Sequence, residues 1–161
     1  MSSPEAMFSA AAIKAFKQNL DRATKLFTNL TEDQLDARIA PGKNRLIYLW
    51  GHLIAVNDTM FPLLGIGEPL YPEFEAVFVK SPDGAAPKTP TSAELAAASK
   101  AIDEKLLVAF NSFTPAQWLE RHTAVSEEDF AKEPGRNRFA ILLSRTNHLA
   151  YHLGQAILAP K

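Results

Sequence analysis

The segment from 44 to 64 reads NRLIYLWGHLIAVNDTMFPLL, and in helical conformation its apolar residues lie on most sides rather than along one stripe. A helix with apolar residues on most sides is largely buried by its neighbours. Because Asn44 is a good N-cap, we predict that the helix begins there and runs to about Leu64. Pro62 weakens its last turn.

Three further long helical patterns accompany this segment. They run from about 5 to 30, from a capping box at 91 to about 111, and from an N-cap at 137 to about 159. No segment alternates convincingly between apolar and polar residues as a strand does. Four long helices around one core predict an all-α four-helix bundle, with 1–161 as a single domain.

The stretch from Gly65 to Pro90 interrupts this regularity with five prolines and three glycines. A loop of about 25 residues inside a compact domain is uncommon and often functional. We expect the 66–90 segment to roof a pocket. Since so long a crossover can span the bundle, helices two and three can run parallel, which gives up-down-down-up topology.

Three histidines distinguish this topology from up-down-up-down. His52 lies about 12 Å along the second helix, and the midpoint of His148 and His152 lies about 13 Å from the end of the fourth. If these helices are antiparallel, the three rings are level, whereas parallel helices would separate them by about 8 Å. Only up-down-down-up makes the two helices antiparallel, so the histidines favour it.

The same three histidines form a candidate metal site. His148 and His152 are four residues apart and share a helix face, and His52 lies on another apolar helix. Three imidazoles without a fourth protein ligand are typical of a metal site with an open coordination position. Zinc, nickel, copper and iron all accept imidazole. The alternative is three buried histidines that hydrogen-bond to protein acceptors.

Composition and motifs exclude several function classes. With 17 basic and 18 acidic residues the net charge is −1, and no basic arm indicates nucleic acid. The absence of cysteine excludes disulfides and thiolate sites. We find no signal peptide and no apolar stretch that could span a membrane, so we expect a cytoplasmic protein. The motifs His-Glu-x-x-His and Glu-x-x-His, typical of zinc proteases and di-iron bundles, are absent.

Several neighbours of the histidines are candidate site residues. Gln155 and Arg145 lie one turn to either side of the pair, and Tyr48 lies one turn before His52. Gln155 can contact substrate or tie two helices, Arg145 can bind an anionic group or be solvated, and Tyr48 can face the open end or the core. Asp58 is a possible acceptor for an imidazole N–H. We expect His122 to be exposed and unrelated.

These residues carry a family resemblance. Gly51-His52, His148-x-x-x-His152-x-Gly154-Gln155, the Pro-Gly before the second helix and the four-helix layout resemble the DinB-like, or YfiT-like, metal-binding bundles. The resemblance implies that His52, His148 and His152 bind a divalent metal, commonly nickel or zinc, in an up-down-down-up bundle that often forms homodimers. Some of these relatives are thiol S-transferases that use low-molecular-weight thiols, or related isomerases.

Two functional hypotheses follow. In the first, the protein is a metal-dependent transferase or hydrolase that acts on a small molecule, with the ion lowering the pKa of a thiol or water. Gln155, Tyr48 and Arg145 are then the candidate substrate contacts. In the second, the protein is a non-catalytic, stress-related binding or scaffold bundle whose metal is structural or absent. An open fourth coordination position favours the first hypothesis.

Overall fold

The computed structural model describes residues 3–159 and is all-α. Within this range nine helices occur and no strand, with only two isolated β-bridges. The helices are α1 (Pro4–Thr28), α2 (Glu32–Asp36), α3 (Leu46–Asp58), α4 (Met60–Leu64), α5 (Glu73–Phe78), α6 (Ser92–Ser112), α7 (Pro115–Trp118), α8 (Glu127–Lys132) and α9 (Arg138–Ile157). The predicted all-α class is therefore confirmed.

Four of these helices, α1, α3, α6 and α9, are long, and they correspond to the four predicted patterns. Both α1 and α3 pack against α6 and α9. Aromatic side chains fill the centre, where Phe27 stacks on Trp50 with ring centroids 5.5 Å apart and Phe16 meets Phe110 edge to face. No helix among residues 3–159 is long and apolar enough to span a bilayer.

The predicted second helix ends at Leu64 as expected but differs from the observed one at its start and in its interior. It divides at Thr59 into α3 and α4. Its N-cap is Arg45, not Asn44, and no side chain of the cap residue bonds to the helix. Instead, the carboxylate of Asp83 accepts the backbone N–H of Arg45 at 2.8 Å and pairs with its guanidinium at 2.6 Å. This distant acidic residue therefore fixes the start of α3, where we had expected Asn44 to cap the helix.

The crossover between α4 and α6 is also more ordered than predicted, because it contains α5. Phe74 and Phe78 of this helix are buried. The carboxylate of Asp58, which is 2% exposed, accepts the backbone N–H groups of Leu70 and Tyr71, both at 2.8 Å. Asp58 therefore anchors the start of the crossover and is not an acceptor for an imidazole.

The end of α5 lies directly on α3 at Gly51. A Cβ atom placed at Gly51 would approach the ring of Phe78 to 2.3 Å, so only glycine allows this contact. The neighbouring Tyr48 donates its hydroxyl hydrogen to the carbonyl of Ser81 at 2.6 Å. Together these contacts fix the crossover against the helix that carries His52.

We predict that Gly51→Ala destabilises the protein. Overpacking against Phe78 costs about 1–3 kcal/mol, which exceeds the gain of up to about 1 kcal/mol in helix propensity. Urea unfolding measures the change. The matched control is Gly154→Ala, because a Cβ at this helical glycine meets no atom within 4 Å. Gly154→Ala should raise the free energy of unfolding by about 0.5–1 kcal/mol. Equal effects of the two variants would show that the contact between Gly51 and Phe78 does not require glycine.

Candidate metal centre

The structure brings His52 of α3 together with His148 and His152 of α9. The Nε2 atom of His148 lies 3.2 Å from Nε2 of His52 and 3.1 Å from Nε2 of His152. One ring nitrogen from each residue lies within 4.8 Å of the others, and all three side chains are half-buried. Within residues 3–159 this is the one cluster of three or more potential metal ligands.

Hydrogen bonds to the outer ring nitrogens orient two of the three imidazoles. Nδ1 of His52 lies 2.9 Å from the backbone carbonyl of Phe78, and Nδ1 of His152 lies 2.7 Å from Oε1 of Gln155. Because both oxygens can only accept, each Nδ1 carries the hydrogen. In the neutral rings, Nε2 of His52 and of His152 therefore presents a lone pair toward His148. This arrangement of outer partners is typical of histidine ligands to metals.

The third ring, that of His148, lacks such a partner. Its Nδ1 atom is buried and makes no hydrogen bond to any of the described residues. The polar contacts of this ring are therefore those of its Nε2 atom with the other two histidines. When two lone pairs point at a third nitrogen from about 3 Å, a proton or a cation must lie between them.

The ring spacing fits a metal ion. Two ligand nitrogens at 2.0–2.1 Å from a tetrahedral ion are about 3.3 Å apart. The two short Nε2–Nε2 separations, 3.2 and 3.1 Å, are close to this value. The cluster could therefore hold a metal ion without large rearrangement of the three side chains.

The surroundings keep two of the rings neutral. Burial, reinforced by repulsion from His152, His52 and Arg145, lowers the pKa of His148 to about 4. Burial also lowers the pKa of His152, although the hydrogen bond to Gln155 opposes this change. Both nitrogens are thus available as ligands at neutral pH, because a protonated imidazole cannot bind a metal.

A cavity of about 440 Å³ lies beside His152. The turn before α3 forms one wall and the C-terminal part of α9 forms the other. Among the described residues, no acidic residue lines the cavity. With His152 neutral, Lys43 is the one charged residue of this lining. The lining residues are Ile39, Ala40, Gly42, Lys43, Asn44, Leu49, Tyr151, His152, Gln155 and Leu158.

The other candidate residues have varied surroundings. Gln155 lines the cavity and also binds His152, and its Nε2 atom donates to the hydroxyl of Tyr151 at 3.0 Å. The hydroxyl of Tyr48 donates to the carbonyl of Ser81, and Tyr48 does not line the cavity.

Arg145 is half-buried, its Nε atom has no partner among residues 3–159, and it does not line the cavity. His122 lies outside the cluster, as expected, but it is half-buried rather than exposed.

Two features of the site were missed from the sequence. The carbonyl of Phe78 belongs to the backbone, so no side-chain pattern could have indicated that it binds His52. The cavity wall formed by 39–44 comes from a turn far from the histidines in the chain. Tyr151 was also missed as a partner of Gln155. Helical spacing could have indicated it, because Tyr151 lies one turn before Gln155.

We predict that the metal-free protein loses stability as the pH falls from about 6.5 to about 4. His148 takes up a proton near pH 6.5 in the unfolded chain but near pH 4 in the folded protein, so acidification in this window favours unfolding. Urea midpoints measured with a chelator at pH 7 and pH 4.5 test this. The His148→Gln variant should lose less stability between the two pH values, and an equal loss would contradict the lowered pKa.

Comparison with known proteins places this geometry in a family. No curated protein matches the sequence. A conserved protein from Enterococcus faecalis, known from a crystal structure, has a similar fold, with a TM-score of 0.65 and 16% identity over 92% of each chain. The model of the DinB superfamily matches residues 15–156. The chain therefore belongs to the DinB superfamily.

Proposed function

We propose that the protein binds one divalent metal ion through His52, His148 and His152 and acts on a small molecule at the remaining coordination position. The position of His148 Nε2, within 3.2 Å of the Nε2 atoms of both His52 and His152, carries this proposal. The cavity beside His152 supports an open position, since it adjoins one of the three proposed ligands. A small molecule fits a volume of about 440 Å³, within the usual range of about 300–1,000 Å³.

Among the possible reactions, transfer of a thiol to a small electrophile is favoured over hydrolysis. A bound divalent ion lowers the pKa of a thiol or water toward neutrality. A thiol starts from a pKa of about 8.5 and water from about 15.7, so beside the same ion the thiol ionises more readily without a general base. No carboxylate lines the cavity within the described chain to assist water. The sulfur forms a bond to carbon, the leaving group departs with its electron pair, and the thiol proton passes to solvent.

The residues of the cavity would position the two substrates. Gln155 holds His152, and through Tyr151 it connects the metal centre to the cavity wall. Lys43 would attract an anionic group of the substrate, because no acidic side chain of 3–159 competes for it within the lining. Leu49 and Ile39 supply apolar surface for the remainder. Arg145 and Tyr48, which lie outside the lining, are not assigned to substrate.

Nickel or zinc is the proposed ion. Imidazole ligands suit both metals, and the set contains no thiolate or carboxylate that would favour a softer or a harder ion. A closed site or a fourth protein ligand would favour the non-catalytic alternative, in which the metal is structural or absent. The adjoining cavity, and the absence of a fourth candidate ligand near the cluster among the described residues, argue against it.

We also infer the up-down-down-up bundle topology for α1, α3, α6 and α9. Contacts between α3 and α9 support antiparallel directions, because Leu46 shares a crevice with Ala159 whereas His52, further along, meets His148. The order of contacts is thus reversed between the two helices.

Contacts between α3 and α6 support parallel directions. Trp50 of α3 lines a cleft with Ser99 of α6, and the ammonium group of Lys105 in α6 lies 4.8 Å from the ring centroid of Phe61 in α4, which follows α3 directly. Residue numbers therefore rise together along both helices, as expected for a crossover that spans the bundle.

The homodimer and the cytoplasmic location remain predictions. Light scattering of the purified protein tests the first, and a mass of twice the chain is expected. Fractionation of cells tests the second.

We predict that His148→Ala abolishes stoichiometric binding of zinc or nickel. Removing the central ligand leaves two nitrogens, which hold a divalent ion weakly. Elemental analysis after dialysis should find about one equivalent in the wild type and almost none in the variant. The matched control is His122→Ala, which removes a histidine outside the cluster and should retain the metal. Equal metal content in all three proteins would refute the proposed ligands.

A second prediction concerns Gln155. In Gln155→Leu the Nδ1–H of His152 loses its acceptor, so the ring is no longer oriented. Metal affinity should fall about 10- to 100-fold, as measured by competition with a chromogenic chelator. Tyr151→Phe leaves the bond between Gln155 and His152 in place and should change affinity little. If the two variants behave alike, Gln155 does not orient the ligand.

A further inference from the structure

A second, larger cavity lies in a groove between α1 and α9. Its volume is about 740 Å³, and none of the three clustered histidines lines it. Nothing in the proposed metal chemistry uses this groove. Its lining residues are Asn19, Arg22, Lys25, Leu26, Asn29, Leu30, Gln34, Ala150, Leu153, Gly154 and Ile157.

The charged residues of the groove are all of one sign. Arg22 and Lys25, one turn apart on α1, line it, and no acidic residue from the described part of the chain does. Neither cation forms an ion pair within 3–159. By contrast, Lys17 on the same helix pairs with Asp21 at 2.7 Å. The groove is therefore complementary to an anionic group.

The floor of the groove is apolar. Leu26 of α1 and Leu30, just after α1, line it together with Leu153 and Ile157 of α9, and Ile157 is 63% exposed. A large aliphatic side chain so exposed on the rim of a groove gains free energy when an apolar ligand covers it. At Gly154 a side chain is missing, which widens the groove: a Cβ there would meet no atom within 4 Å.

The apolar floor continues into a narrower crevice of about 90 Å³. The groove and the crevice share Leu26, Leu30, Gln34 and Ile157. The crevice reaches inward to the buried Leu46, Ala156 and Ala159. Polarity thus changes along the groove, from the two cations at one end to a largely apolar crevice at the other.

We propose that this groove binds one molecule of a long-chain carboxylate, such as a fatty acid. The carboxylate pairs with Arg22 and Lys25, and the alkyl chain lies over Leu26, Leu153 and Ile157 toward the crevice. From Arg22 to its end at Thr28, α1 extends about 9 Å, and Leu30 and the crevice continue the apolar path beyond the helix. The combination of unpaired cations, an apolar floor and an inner crevice carries this assignment.

Equilibrium dialysis of dodecanoate, below its micellar concentration, tests the proposal. The wild type should bind about one equivalent with saturation. Gly154→Leu and Ala150→Leu each fill the groove from its exposed α9 wall and should weaken binding at least tenfold. Circular dichroism and metal content should stay unchanged, since neither residue belongs to the histidine cluster.

Charge is tested with a matched pair of variants. Arg22→Gln combined with Lys25→Gln should weaken dodecanoate binding roughly three- to tenfold. Lys17→Gln combined with Lys100→Gln removes the same net charge outside the groove and should leave binding intact. Dodecylamine, with the opposite head-group charge, should not compete.

Three results would overturn the proposal. Binding that does not saturate, or that is equal in all variants, would show non-specific partition. Equal affinity for dodecylamine would show that the cations do not select the head group. If dodecanoate does not bind and Gly154→Leu converts a dimer to a monomer, the groove receives a second copy of the chain instead.

Discussion

The contact between Gly51 and Phe78 is the constraint on which the site depends. Since residue 51 has no side chain, the ring of Phe78 lies directly on α3, and the carbonyl of the same residue reaches the next residue, His52. One short segment of the crossover thus fills the space beside α3 and fixes the hydrogen position on an imidazole. The order of the crossover and the geometry of the histidine cluster are consequently linked.

The crossover is held by polar bonds as well as by packing. At its start Asp58 accepts two backbone N–H groups, and near its end Asp83 binds Arg45 at the beginning of α3. Burial alone would raise the pKa of Asp83, but the hydrogen bonds and charge of Arg45 outweigh it and hold that pKa below its usual value. Both ends of α3 are therefore tied to the same segment, and His52 lies between them.

The electrostatics of the centre favour an anionic ligand. Imidazole ligands contribute no negative charge, and no carboxylate of the described residues lines the adjoining cavity. A divalent ion held there would keep most of its charge, and Lys43 adds to the positive potential. A thiolate or another small anion at the fourth position would compensate this charge, consistent with thiol transfer.

The long helices and the approach of the three histidines could be predicted from the sequence, because both follow from side-chain periodicity along helices. The sequence did not indicate α5, which is shorter than two turns and lies among prolines and glycines, where periodicity gives no signal. It placed the start of α3 one residue early because the interactions of that end come from Asp83, 38 positions away. Tyr48 was a candidate for substrate contact by spacing alone, whereas its hydroxyl binds a crossover carbonyl.

X-ray absorption spectroscopy of the zinc-loaded protein, with and without an added thiol, tests the metal centre most directly. We expect three imidazole nitrogens at about 2.0–2.1 Å and a light atom as fourth ligand. With 2-mercaptoethanol present, that atom should be replaced by one sulfur at about 2.3 Å. A shell of oxygen atoms without imidazole scattering, unchanged by the thiol, would contradict both the histidine ligands and the open position.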